Sequence, residues 1–273
     1  MNTILFTAIF AVVLAFVLGT ALGFFREFFA VPRNPMIDLI REALPGANCG
    51  ACGYPGCDNY ATAIVKDDVA TNSCSVGGAA VAAKIAVITG KAGGAAVELV
   101  TVLACQGSGG HSPPRGKYTG IPTCRGAKMS SGGTKLCSWG CLGFGDCIKV
   151  CQFDAITMGS DGLPVFDINK CKGCKVCVGE CPQGIIKLED KNQKGAITLC
   201  SNRNPVKVAA SKACNIACIK CGICVKNCPH QCISLDTQIP VVDYSKCDSC
   251  GTCTQKCPKK VFKLLEKDIF KTA

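Results

Sequence analysis

Cys171, Cys174, Cys177 and Cys181, the last followed by Pro182, are spaced C-x2-C-x2-C-x3-C-P. The same spacing returns at Cys218, Cys221, Cys224 and Cys228 with Pro229, and at Cys247, Cys250, Cys253 and Cys257 with Pro258. Thiolate sulfur is soft and binds iron well. Two-residue gaps let one loop wrap three corners of an iron–sulfur cubane, while the fourth cysteine reaches the other cluster of a two-cluster unit. A cubane held by four cysteines has no open position for a substrate, so the chemistry implied is one-electron transfer. The chain has 25 cysteines among 273 residues. The odd count and the repeated triplets argue against a disulfide framework and place the thiols in a reducing compartment.

A fourth group has different spacing: Cys49-x2-Cys52-x4-Cys57-x16-Cys74. Glycines around it permit tight turns close to a metal. Four thiolates could hold zinc as well as an iron–sulfur cluster. The two histidines, His111 and His230, are read as surface residues rather than ligands.

The elements that must position these thiols begin with an anchor. Residues 4–25 are uncharged and apolar, long enough to cross a bilayer as a helix. No charged side chain precedes them, as a signal peptide would require. Arg26 and Arg33 follow, which by the positive-inside rule places the N-terminus outside and the bulk of the chain on the cytoplasmic side of the inner membrane. Gly19 and Gly23 form a G-x3-G pair, a surface on which another helix can approach closely. Residues 35–44 carry helical apolar spacing and stop at Pro45-Gly46. Residues 75–123 are rich in Gly, Ala and Ser and read as a linker with a short helix and a strand over 97–105.

Net charge is +11 and aromatic content 6%. The charge does not imply nucleic acid, because each cubane with four thiolates carries about −2, and five would bring the holoprotein near neutrality. The low aromatic content gives a thin core, which metal binding must supplement. GSGGHS at 107–112 lacks the strand–turn–helix setting of a dinucleotide-binding loop, and no phosphate-binding loop is complete.

The second half of the chain is an internal repeat. A shift of 77 residues carries Cys137, Cys141, Cys147 and Cys151 onto Cys214, Cys218, Cys224 and Cys228. A shift of 76 carries Cys171, Cys174, Cys177 and Cys181 onto Cys247, Cys250, Cys253 and Cys257, and Cys124 onto Cys200. AITMGSDGLPVFDINKC matches CISLDTQIPVVDYSKC, each a strand, a turn and a strand.

The stretch GANCGACGYPGCDNYATAI resembles the single-cluster domain of the B subunit of the Rnf complex, and corrinoid iron–sulfur proteins carry a similar segment. GCLGFGDCIKVCQFDAI at 140–156 resembles the longer form of that subunit. An anchor, this domain and then ferredoxin units is the order found in the family, and the resemblance is weakest at 75–120. Each half of the repeat resembles a bacterial two-cluster ferredoxin. The implied fold class is α+β: a transmembrane anchor (1–28), a small single-cluster 4Fe-4S domain (34–76), the linker (77–123) and tandem duplicated two-cluster ferredoxin-like units (124–192 and 196–266).

In a ferredoxin the ligands cross over. The resemblance therefore implies one cluster on Cys218, Cys221, Cys224 and Cys257, its partner on Cys247, Cys250, Cys253 and Cys228, and a third on Cys171, Cys174, Cys177 and Cys151. Phe144 stands where Cys221 stands in the repeat, so the fourth has Cys141, Cys147 and Cys181 with Cys137 as nearest candidate; loss of the cluster or a three-iron form is the rival. With Cys49, Cys52, Cys57 and Cys74 this makes five 4Fe-4S clusters. Cys105, Cys124, Cys200 and Cys214 remain, matching a sixth in number or standing as free thiols, and Cys232 reads as a small buried residue. The function implied is the electron-input component of a membrane-bound, ion-translocating ferredoxin:NAD+ oxidoreductase, with reduced ferredoxin as donor, flavin- and NAD-binding subunits as partners, and lysines such as Lys259, Lys260 and Lys263 for docking an acidic carrier. A polyferredoxin component of a hydrogenase or carbon monoxide enzyme and a cluster-assembly scaffold are the alternatives.

Overall fold

The computed structural model describes residues 2–29, 34–91, 94 and 97–270. The apolar run forms helix α1 (Asn2–Phe28). Its stretch Ile4–Arg26 has mean hydropathy 2.6 and no burial against the rest of the chain, and 23 residues span about 35 Å, the thickness of a bilayer core. Two of its hydroxyls turn back on the helix, Thr7 Oγ1 to Ile4 O and Thr20 Oγ1 to Phe16 O, each at 2.9 Å, so neither is left unpaired in hydrocarbon. Removing residues 1–28 is expected to shift the chain from the membrane pellet to the soluble fraction; retention in the pellet would contradict an anchoring role.

Three helices build the domain that follows. Helix α2 (Pro35–Ala43) starts with Pro35 in its first turn and with Asn34 Oδ1 accepting Met36 N–H at 3.0 Å, a good N-terminus. It packs on α3 (Cys57–Lys66) and α4 (Gly78–Thr89). Ile40, Leu44, Tyr60, Ile64 and Ile85 form the core, with Cys52, Cys57 and Cys74 against it.

From residue 97 onward the chain lays down four two-stranded antiparallel pairs. Strand β1 (Leu99–Leu103) precedes helices α5 (Cys124–Ser131) and α6 (Asp146–Lys149), the hairpin of β2 (Ile156–Met158) and β3 (Pro164–Phe166), helix α7 (Val176–Glu180) and β4 (Ile186–Asp190). β1 pairs with β4, Leu99 opposite Asp190 and Leu103 opposite Ile186. The next stretch has β5 (Ala196–Thr198), α8 (Lys207–Ala213), α9 (Ile223–Lys226), the hairpin of β6 (Ile233–Ser234) and β7 (Val241–Val242), α10 (Thr252–Lys256) and β8 (Phe262–Leu264), closed by a π turn at Leu265–Ile269. β5 pairs with β8, Thr198 opposite Phe262.

The two stretches share one plan. Past each leading strand, Ala104 N–H donates to Ile185 O and Leu199 N–H to Val261 O, both at 2.7 Å. The strand in the linker is therefore the leading strand of the first unit, whose sheet starts at Leu99 rather than beyond the expected boundary at 124. The sequence repeat is interrupted between β1 and Cys137, so β1 has no match at the 76- or 77-residue shift.

Each of four short helices carries one cysteine of a run: Cys147 on α6, Cys177 on α7, Cys224 on α9 and Cys253 on α10. The residue before each helix is left-handed: Gly145 (φ 73°), Lys175 (φ 65°), Gly222 (φ 74°) and Gly251 (φ 76°). This turn converts the loop of a C-x2-C pair into a helix start. Glycine adopts it freely, whereas Lys175 does so at a steric cost of roughly 1 kcal/mol.

Candidate functional site

Cys49, Cys52, Cys57 and Cys74 are gathered by two latches. Asn48 Oδ1 accepts Cys57 N–H at 2.9 Å, fixing Cys49 beside the start of α3. Tyr60 OH donates to Ala70 O at 2.8 Å and accepts Ser73 N–H at 3.1 Å, which folds Cys74 back to the other three. Burial pushes the Cys74 thiol up, and the proximity of Cys52, Cys57 and Cys49 adds to it.

A second quartet is Cys151, Cys171, Cys174 and Cys177. Burial raises the Cys177 thiol to about 12, with Cys174 and Cys171 contributing next; Cys151 acts on Cys174 in the same way. Ala155 N–H donates to Cys151 Sγ at 3.4 Å, and Thr101 Oγ1 on β1 lies 3.4 Å from Cys171 Sγ. Gly173 lets this loop pass over β1: a Cβ there would stand 2.4 Å from Leu99 O.

In the C-terminal unit, Cys218, Cys221, Cys224 and Cys257 line one small cavity. This is the crossed pattern the ferredoxin resemblance implies. Cys247, Cys250, Cys253 and Cys228 form its neighbour, with the Cys253 thiol pushed to about 12 by burial and then by Cys247, Cys250 and Cys228. Cys250 is the one exposed cysteine of the 25. Cys232 is buried, with its Sγ 3.3 Å from Cys228 Sγ.

The fourth quartet departs from the sequence expectation. A small cavity is lined by Cys141, Cys147, Cys181 and Cys124, not Cys137. Cys124 opens α5 and is held there by Asp146, whose Oδ2 accepts the N–H of Cys124 at 2.7 Å and of Arg125 at 3.2 Å. Phe144, at the position of Cys221, packs instead on Tyr118 with ring centroids 5.5 Å apart. The connection between Cys105 and Cys137 is longer than that between Cys200 and Cys214, and the added length delivers Cys124.

Cys137 lines a different small cavity, together with Cys105, Cys200 and Cys214. Burial raises the Cys137 thiol to about 11, and Cys105, Cys214 and Cys200 each raise it further. The sequence repeat obscures this grouping because its fixed shift aligns Cys124, rather than Cys105, with Cys200. The strand pairing is the signal that corrects it, since Cys105 and Cys200 each lie two residues beyond their leading strands.

These quartets suit a cubane. The thiols surround a void and receive backbone N–H donors, as from Gly77 to Cys74 Sγ at 3.4 Å. Zinc requires sulfurs about 2.3 Å from one centre, and among the described residues no three His, Cys, Asp or Glu are placed to hold a single ion. Thiols raised to 11 or 12 are protonated at neutral pH and lose their protons on metal binding. His111 and His230 are exposed, His111 Nδ1 lying 2.9 Å from Asn215 Oδ1 and His230 Nε2 2.8 Å from Asp248 Oδ2. Lys259 turns inward, donating to Asn215 O at 2.7 Å, while Lys260 and Lys263 are exposed.

Three family models match the chain: an Fe-S cluster model over residues 44–76, a 4Fe-4S binding domain over 164–187 and a 4Fe-4S dicluster domain over 217–261. Among curated relatives, the B subunit of the Na(+)-translocating ferredoxin:NAD(+) oxidoreductase complex of Acetobacterium woodii is 43% identical over 80% of this chain; the aligned part spans 65% of that relative. The B subunit of the proton-translocating ferredoxin:NAD(+) oxidoreductase complex of Clostridium ljungdahlii is 38% identical over 90% of this chain and 87% of the relative. The B subunit of the ion-translocating oxidoreductase complex of Methanosarcina acetivorans is 35% identical over 80% and 82%.

Proposed function

The chain belongs to the family of B subunits of ion-translocating oxidoreductase complexes, and from that premise we propose that it accepts electrons from reduced ferredoxin and relays them one at a time through 4Fe-4S clusters to other subunits of a membrane complex. The observation that carries this reading is the adjacency of the cysteine quartets. Ser75 Oγ donates to Gly173 O at 3.4 Å between the first domain and the next unit, and the Cys174 thiol, raised chiefly by burial, is raised further by nearby Cys49. Cys147 acts on Cys177. Over these two steps the quartets are neighbours, as a relay needs.

The clusters would be held by the quartets Cys49/Cys52/Cys57/Cys74, Cys151/Cys171/Cys174/Cys177, Cys124/Cys141/Cys147/Cys181, Cys218/Cys221/Cys224/Cys257 and Cys228/Cys247/Cys250/Cys253. When bound, they supply reversible one-electron chemistry over a range tuned by burial and by hydrogen bonds to sulfur. The chain's own residues bury the thiols, aim backbone N–H groups at them and exclude water. Helix α1 tethers the relay to the inner membrane with its cluster-bearing part in the cytoplasm, where a soluble carrier reaches it. Electrons enter at Cys250, the exposed corner of the quartet farthest in sequence from the anchor, where exposed Lys246, Lys256 and Lys260 favour an acidic carrier. Flavin- and NAD-binding subunits receive them.

Anaerobically purified holoprotein mixed with reduced ferredoxin should bleach in its broad visible sulfur-to-iron absorption, with an association rate that falls about tenfold or more from low to high salt. Failure of reduced ferredoxin and of every other low-potential donor to reduce the clusters would overturn the relay.

A further inference from the structure

We propose that Thr101 sets the reduction potential of the cubane on Cys151, Cys171, Cys174 and Cys177: its hydroxyl donates to the ligating sulfurs and makes that cubane easier to reduce. The proposal deepens the relay reading and rests on its ligand set.

Thr101 stands on β1 opposite Leu188, and strand alternation puts Leu99 and Leu103 beside it on the same face. It is 2% exposed. A hydroxyl buried among leucines costs free energy unless it finds a partner. Among the described residues, the partners of this one are thiols of a single quartet. Its Oγ1 lies 3.4 Å from Cys171 Sγ. Burial raises the Cys177 thiol, and a hydrogen bond from the same threonine acts in the opposite direction. The cysteine loop is pressed against the strand here, since a Cβ on Gly173 would collide with Leu99 O. By contrast Thr198, equally buried on β5, donates to a backbone carbonyl, Pro240 O, at 2.8 Å.

The second unit shows that the fold does not require this hydroxyl. Thr101 faces Leu188 across β1 and β4, and Ala196 faces Leu264 across β5 and β8. Leu188 and Leu264 match by the 76-residue shift, so Ala196 is the counterpart of Thr101. It is 1% exposed and packs without a polar atom. The C-terminal unit does place Thr252 Oγ1 3.4 Å from Cys250 Sγ. Cys250 is exposed, however, and water supplies the same bond there.

Metal binding fixes the direction of the bond. A ligating thiolate carries no proton, so Thr101 must donate. Reduction adds an electron and increases the negative charge on the sulfurs. The hydroxyl dipole therefore favours the reduced form, and burial from water strengthens the effect. The step is a one-electron reduction with no bond made or broken. Within the relay, an easier reduction at this point draws electrons toward the quartet of the first domain.

Potentiometric titration of anaerobic full-length holoprotein, followed by electron paramagnetic resonance, tests the assignment. The relevant midpoint is the one altered in Cys174→Ala. Thr101→Val keeps the side-chain shape and removes the hydroxyl. It should retain wild-type iron while the reduction constant of this cubane falls about tenfold, a shift of about 59 mV, and the other midpoints stay in place. Thr101→Ser should return to the wild-type midpoint. An unmoved midpoint in Thr101→Val, or an equal shift in Thr101→Ser, overturns the assignment. If Thr101→Val loads less iron, Thr101→Ser and Thr101→Ala make the comparison, because they differ by the hydroxyl alone. The serine variant should then be about tenfold easier to reduce, and equal midpoints overturn the proposal. Wild-type iron and spectra in Cys174→Ala would remove the ligand set and the proposal with it. A midpoint that shifts as expected in a protein that no ferredoxin reduces leaves Thr101 in its role and sinks the relay alone.

Discussion

Stripping the iron from the holoprotein will unfold both ferredoxin-like units. Their strands are two to five residues long and pair only in twos, and isolated two-stranded pairs are marginal in water. Their buried clusters are built largely from cysteines: Cys137, Cys200, Cys214, Cys218, Cys224 and Cys253 all belong to the largest of them. Without iron these side chains line voids. With iron, they are cross-linked at four points per cluster, and structural metal sites of comparable thiolate content contribute on the order of 10 kcal/mol. Anaerobic chelation should therefore abolish the strand signal in circular dichroism and expose the amides of residues 97–270 to rapid hydrogen exchange. Helix α1 and much of α2, α3 and α4 should survive, because Ile40, Tyr60, Ile64 and Ile85 are fully buried in a core of ordinary side chains. Protected amides in β1, β4, β5 and β8 after complete iron removal would show that apolar packing alone sustains the units.

Cys124→Ala is the second change with a large expected effect. Cys124 lines the cavity with Cys141, Cys147 and Cys181, so its loss should convert that cluster to a three-iron form or remove it, with one to about four irons lost per chain. The sequence repeat alone would assign this role to Cys137 and leave Cys124 outside this quartet. Iron analysis with electron paramagnetic resonance of the oxidised variant decides between them: an unchanged spectrum and iron content would return Cys137 to this quartet. Asp146→Ala should act in the same direction more weakly, because it removes the carboxylate that fixes the N-terminus of α5 without removing a thiol.

The three complete cysteine runs and the apolar anchor are legible at once, because their signals lie in local spacing. So is the first domain, whose helix over 35–44 appears as Pro35–Ala43. The ligand sets that cross between distant segments are harder. Cys257 joins Cys218, Cys221 and Cys224 in sequence only through a resemblance to ferredoxins. Cys124 and Cys137 exchange places because an added connection in the first unit displaces the repeat between Cys105 and Cys137. A fixed shift cannot see such an insertion, whereas the pairing of β1 with β4 and β5 with β8 is indifferent to it. Composition suggests Lys259 as a docking residue; its ammonium is bound to Asn215 O and lies near Ser211 Oγ at 3.3 Å, which no local pattern reveals.

A single file of carriers has no detour. If Cys250 marks its outer end, dioxygen arriving from solvent attacks that corner first, while the buried members keep their colour. Such a molecule would go silent long before it turned pale, and the tint of a preparation would be a poor guide to its competence.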